Sequence, residues 1–153
     1  DPGASIGVRV ALLGQLERRG LVDGEARWLA LLADDAPTPD LVATIRAASL
    51  DPRPAVRARL LALLDSDRVL VAAAAARALG RPGDTSAVAP LARALAHPSS
   101  RVRQAAVRGL GSTRTPAAIA ALEEAAGHHP DAATRRLARA EAAKRAAAGV
   151  ATP

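Results

Sequence analysis

The sequence predicts an all-α solenoid of about four helix pairs on a 31-residue period, followed by a C-terminal capping helix. Three observations predict it. Leucine recurs at Leu29, Leu60, Leu91 and Leu122, and arginine at Arg46, Arg77, Arg108 and Arg139, both at a step of 31; a fixed period of roughly 20 to 50 residues is the mark of stacked supersecondary units. Within each unit the apolar residues stand three and four apart, and nothing alternates with period two. Finally, half of the 153 residues are apolar, yet there is no Phe, Tyr, Met or Cys and one Trp. The core must then be Ala, Val and Leu, and alanine both favours helix and lets helix axes approach closely.

Laid out at this period, first helices fall near 5–19, 38–49, 68–79, 100–110 and 132–148, and second helices near 23–33, 54–64, 85–96 and 116–126. The opening helix carries Ile6, Val8, Val10, Leu12, Leu13 and Leu16 with few charges before Glu17. It lacks the polar face that an end repeat needs for solubility, so it is expected to pack on an upstream domain or a second copy. Thr38-Pro39 and Thr115-Pro116 each set a capping hydroxyl before a proline at the first helical position. The stripe Val56, Leu60, Leu63, Leu64 marks one second helix, and Val102, Ala105, Ala106, Gly109, Leu110 one first helix. Pro90 falls in or near the first turn of its helix, where a missing N–H is tolerated. Gly80 and Gly111, again 31 apart, are expected to be left-handed C-terminal caps. Asp51-Pro52, His97-Pro98 and His129-Pro130 end the helices before them. A rival step of 46 relates Asp51-Pro52-Arg53 to His97-Pro98-Ser99, but two ladders of four residues favour 31.

The stretch Val102 to Gly111 (VRQAAVRGLG) and its copy Val71 to Gly80 (VAAAAARALG) resemble the first-helix signature of short HEAT-like repeats, the kind first noted in phycobilisome lyase subunits. Gly83-Asp84 followed by Ala87 to Leu91 resembles that family's second-helix opening. The resemblance covers residues 38–148, and 5–33 by register alone; Ala72 stands where the usual arginine would be, and Thr134 to Ala138 match poorly. It implies a right-handed solenoid forming a single domain over 1–153, alone or within a longer protein, with the second helices lining the concave, ligand-binding side. Tetratricopeptide arrays want Trp, Tyr and Phe at set positions, and ankyrin arrays a hairpin between units; neither fits.

Function is less legible. With no cysteine, thiolate catalysis, disulfides and Cys-ligated metals are excluded, and the compartment is left open, a cytoplasmic default against an exported mature form that a start at Asp1 would suit. The longest apolar run, Val69 to Ala76, is far short of the roughly 20 residues that cross a bilayer. His97, His128 and His129 read as loop residues without the three or four converging ligands a metal needs. Glu123 and Glu124, adjacent on a helix, point about 100° apart and do not form an acid–base pair. No cofactor is expected.

What remains is a surface for a partner protein or an adjacent domain. Opposite the leucine ladder the second helices carry Arg27, Trp28, Arg59, Ser86, Arg93 and Glu124 among alanines, the expected concave binding face. Trp28 is either a binding anchor or, the favoured role, a plug at the end of the core. Charge offers an alternative: residues 1–75 hold nine cationic and ten acidic residues (net −1), residues 76–153 twelve and five (net +7). Arg101, Arg108, Arg135, Arg139 and Arg145 could hold a polyanion, although with no base-stacking aromatics and no Asn only salt-sensitive phosphate attraction is left for nucleic acid. A third alternative, resting on the resemblance, is an accessory domain of an enzyme such as a chromophore lyase. The reading overall is a non-enzymatic interaction module, its oligomeric state undetermined by sequence.

Overall fold

The computed structural model describes residues 6–20 and 23–150, and no strand occurs among them. The first and second helices follow the period: α1 (Ile6–Arg18), α2 (Gly24–Leu31), α3 (Thr38–Ala48), α4 (Pro54–Ala62), α5 (Val69–Leu79), α6 (Val88–Ala94), α7 (Ser100–Thr113), α8 (Pro116–His128) and α9 (Ala132–Val150). Single 3₁₀ turns, Leu63–Asp65 and Thr85–Ala87, extend α4 and lead into α6. The chain divides into two compact units, Asp1–Ala78 and Leu79–Pro153.

In the first unit α2 starts where the Asp23 carboxylate accepts the N–H groups of Glu25 (2.9 Å) and Ala26 (3.2 Å), two of the donors a helix N-terminus leaves unpaired. Its buried stripe is Gly24, Trp28 and Leu32, spaced by four. Leu29, the first rung of the leucine ladder, is only half-buried, whereas Leu60, Leu91 and Leu122 are core. Trp28 is therefore a core residue at 8% exposure rather than a binding anchor: an indole buries more apolar area than the leucine beside it, and the helix turns to bury it. Thr38 makes no capping bond; the helix begins at Thr38 itself with Pro37 before it. Arg59 does not present a free charge either. Its Nε and Nη2 donate to the Leu32 carbonyl (3.0 and 2.8 Å) and Nη2 meets Asp34 (2.8 Å), while Arg68 donates to the carbonyls of Ala36 and Asp34 (both 2.7 Å). Two arginines thus satisfy carbonyls of the C-cap residue and of the loop that follows α2.

In the second unit α7 is the central element, with Val102, Ala105, Ala106, Val107, Gly109, Leu110, Gly111 and Thr113 buried. Gly80 and Gly111 are not left-handed caps; among the described residues the glycines with positive φ are Gly20 and Gly83. Their smallness serves packing instead. A Cβ at Gly80 would lie 2.5 Å from the Gly109 carbonyl oxygen, and one at Gly111 would lie 2.9 Å from Oε2 of Glu141. α7 runs through Gly111 and ends at Arg114, which takes the left-handed conformation itself (φ 55°). α8 starts as its sequence predicts, with buried Thr115 accepting the Ala118 N–H (3.2 Å) ahead of Pro116.

Candidate functional site

Within the second unit, α6 and α8 and the loops that follow them enclose a cleft of about 690 Å³. Its floor is Ala92, Leu95, Ala96, Ala121 and Ala125, and its rim includes His97, Arg103, Glu124, His128, His129 and Asp131. The loop after α6 forms because the last N–H groups tighten to i→i−3 bonds, with Leu95, Ala96 and His97 donating to Ala92, Arg93 and Ala94 (3.2, 3.0 and 3.2 Å). Pro98 then stops the helix.

The histidines build the turns. Nδ1 of His97 accepts the Ser99 N–H, and Nδ1 of His129 accepts the Asp131 N–H, both at 3.0 Å. This copies the role of an Asx side chain at a turn, and Asp51 does the same for Arg53 (3.0 Å). Because Nδ1 accepts, the proton of a neutral His129 sits on Nε2, which donates to the Leu95 carbonyl across the cleft (2.8 Å).

An arginine six residues on locks each turn. Arg103 donates to the His97 and Pro98 carbonyls (2.9 and 2.7 Å), and Arg135 to those of His129 and Pro130 (2.7 and 2.9 Å). Arg103 further reaches Thr134 Oγ1 (3.3 Å) and Asp131 (3.4 Å). Asp131 caps α9, accepting the N–H (2.8 Å) and hydroxyl (2.6 Å) of Thr134. Those two bonds, the hydroxyl's first and Arg103 last, hold its carboxyl down to about 2 from 3.8, so it is a carboxylate at any physiological pH.

Of the six residues expected on the binding face, Glu124 lines the cleft and faces His128 Nδ1 at 3.4 Å. Arg93 is exposed on α6 and Ser86 is turned toward Asp84 (2.7 Å); Arg27 is exposed and belongs, with Trp28 and Arg59, to the other unit. In the basic set, Arg101 and Arg108 are exposed on α7. Arg135 is spent on its turn, Arg139 donates to the Ala126 carbonyl (3.2 Å), and Arg145 is turned toward buried Glu141 (3.7 Å). Three residues read as siteless loop histidines all line the cleft, and His128 closes helix α8 rather than lying in a loop. Their signal was available: two His-Pro pairs 32 apart, each followed six residues later by arginine. Among the described residues no three of His, Cys, Asp or Glu converge to hold a metal.

Residues 58–144, more than half of the chain, match the family of HEAT repeats. The chain belongs to the HEAT-repeat family. Human deoxyhypusine hydroxylase in complex with glycerol shares its fold at a TM-score of 0.62 and 23% identity, over 88% of this chain and 52% of that one. The chain thus spans about half the length of this HEAT-like neighbour, and the likeness is one of fold. No curated protein matches it.

Proposed function

We propose that this HEAT-repeat chain is a non-enzymatic protein-interaction module that takes a segment of another protein in the α6–α8 cleft. The observation that carries the reading is the cleft itself: its volume falls in the roughly 300–1,000 Å³ range of binding pockets, and its floor is alanine and leucine. Small floor residues leave room for a partner's bulky apolar side chain. The rim argues for shape over reaction, because Arg103, His129 and Asp131 are committed to bonds that hold the turns. Glu124, exposed and in the cleft lining, is placed to orient the ligand.

The test is selection of binders from a randomised peptide library against the chain, followed by titration. Ala121→Arg fills the floor, and Ala117→Arg, exposed on the same helix outside the cleft, is the control. Selected peptides should lose about tenfold or more in affinity on the first and less than about twofold on the second, as for a truncated hot spot. No enrichment, or equal loss from both, would refute the reading.

A second reading, polyanion binding, draws on Arg101, Arg108 and Arg136, which are exposed and have no ion pair among the described residues. It predicts DNA affinity that collapses with salt, and no binding at low salt ends it.

A further inference from the structure

We propose that the partner segment taken by the α6–α8 cleft is cationic as well as apolar, with a bulky apolar side chain on the alanine floor and a lysine or arginine beside it on Glu124. This rests on the cleft being the binding site and names the chemistry of what it takes. The lining holds three side chains charged at neutral pH, Arg103, Glu124 and Asp131. Arg103 and Asp131 answer each other. The guanidinium is spent on the His97 and Pro98 carbonyls and lies 3.4 Å from the carboxylate, which also accepts two bonds from Thr134. Glu124 has no such partner. Its side chain is 75% exposed, and its contact with Nδ1 of His128 at 3.4 Å is an ion pair only when that ring is protonated. With neutral histidines the cleft therefore carries one uncompensated negative charge beside an apolar floor.

That charge runs against the unit around it. Residues 79–153 carry eleven cationic and five acidic residues, a net of +6. Three of the five acids are spent within the unit: Glu141 on Lys144 (2.9 Å) and Arg145 (3.7 Å), Asp131 on its turn, and Asp84 on Ser86. Glu123 and Glu124 remain, both exposed on α8, and of these two Glu124 lines the cleft. Arg93, exposed on α6, stands outside the lining. An anionic ligand would meet Glu124 as a like charge and find the cation of the lining already committed to backbone carbonyls. A cationic ligand gains complementarity at the same place. The floor sets the other half of the chemistry. Ala92, Ala96, Ala121 and Ala125 leave space for an aliphatic or aromatic side chain, and the stem of a lysine or arginine can lie along such a surface while its charge reaches the rim.

The unit's net charge and the cleft's own charge favour opposite ligands. Three fluorescent peptides of about fifteen residues, the length at which an isolated helix begins to hold, are made of leucine and alanine with lysine, glutamine or glutamate at the same positions. They are titrated against the full chain at low salt and about pH 8, where histidine is neutral. Net charge alone favours the glutamate peptide, whereas the cleft should bind the lysine peptide tightest. Glu124→Gln should weaken the lysine peptide about two- to fivefold, the range of one exposed ion pair, and move the glutamine peptide less than about 1.5-fold. Glu123→Gln removes the same charge one residue away, outside the lining, and should leave the lysine peptide unchanged. Ala121→Gln, which fills the floor without adding charge, should weaken the lysine and glutamine peptides about fivefold or more. A glutamine or glutamate peptide that binds as tightly as the lysine peptide, or equal losses from Glu124→Gln and Glu123→Gln, would overturn the proposal; the cleft would still stand as the binding site if Ala121→Gln weakened whatever bound. Binding by none of the three, or binding indifferent to Ala121→Gln, would overturn both.

Discussion

Removing the Arg103 guanidinium tests how the cleft is held. The side chain is 14% exposed and spans two loops of the second unit. Its bonds to the His97 and Pro98 carbonyls are short (2.9 and 2.7 Å), and its contacts with Thr134 and Asp131 are long (3.3 and 3.4 Å). Charged-group hydrogen bonds contribute about 1.5–3 kcal/mol net. The two short bonds count near the lower value, because Pro98 is exposed and water can replace the donor; the long pair adds little. Arg103→Ala should then cost about 2–3 kcal/mol, or roughly 5–10 °C in melting temperature for a chain of this size. Arg103→Lys should recover less than half, since a single ammonium cannot fork to two carbonyls. Far-UV circular dichroism under heat and urea measures the loss. Trp28, the single tryptophan, lies in the first unit and provides an independent fluorescence reading there. A loss below about 0.5 kcal/mol would refute the clamp, showing that water or a neighbouring donor already serves those carbonyls.

Four further perturbations separate packing, backbone and charge. Gly80→Ala forces a Cβ against the Gly109 carbonyl at 2.5 Å, backbone against backbone, and should cost about 2–3 kcal/mol by urea denaturation. Gly127→Ala, in helix α8 with open space around it, should instead gain up to about 1 kcal/mol. Arg114→Gly relieves a left-handed non-glycine residue and should stabilise by about 1 kcal/mol in the same assay. Asp131 titrates lower folded (about 2) than unfolded (3.8), so its contribution is complete above pH 3.8 and is lost as pH falls toward 2. Over that window the melting temperature should fall more steeply for the native chain than for Asp131→Asn, and parallel curves would show that the carboxylate is not coupled to folding.

Helix positions were legible because periodicity and punctuation agree: Thr115-Pro116 starts α8, and the Asp, His and proline turns end helices where the sequence says they should. Side-chain roles were less so, and each miss has a physical cause. Leu29 and Trp28 are adjacent on one helix, and which faces inward depends on the shape of the space to be filled, a property of the packed unit. At Gly80 the local pattern suggests φ freedom, but its neighbour Gly109 lies on another helix, so the reason for glycine is a distance no local pattern displays. Arg59 and Arg103 look like surface charge in a sequence, whereas their targets are backbone carbonyls of other loops. The cleft is hidden in the sequence for the same reason: its polar rim is made of residues whose local task, closing a turn, conceals that two turns face one another.

The register of the last repeat shows which kind of periodicity can be relied on. The arginine ladder steps by 31 from Arg108 to Arg139, but the turn machinery steps by 32, from His97 to His129 and from Arg103 to Arg135. One residue is about 100° of helix, so Arg139 does not repeat the position of Arg108; it reaches the Ala126 carbonyl on α8 instead. In a chain dense in alanine and arginine a recurring side chain is weak evidence of register, while residues that bind the backbone at a turn fix it. By the turn register Gln104 corresponds to Arg136, which makes no such bond and is exposed. The outward basic set is then Arg101, Arg108 and Arg136. If that face attracts polyanions, Arg108→Glu and Arg136→Glu should each lower DNA affinity and flatten its salt dependence. Arg139→Ala should leave the salt slope unchanged and lower the melting temperature, because it removes a donor from a helix-end carbonyl. An Arg139 variant that flattened the slope as much as the other two would restore the 31-residue ladder and refute the turn-based register.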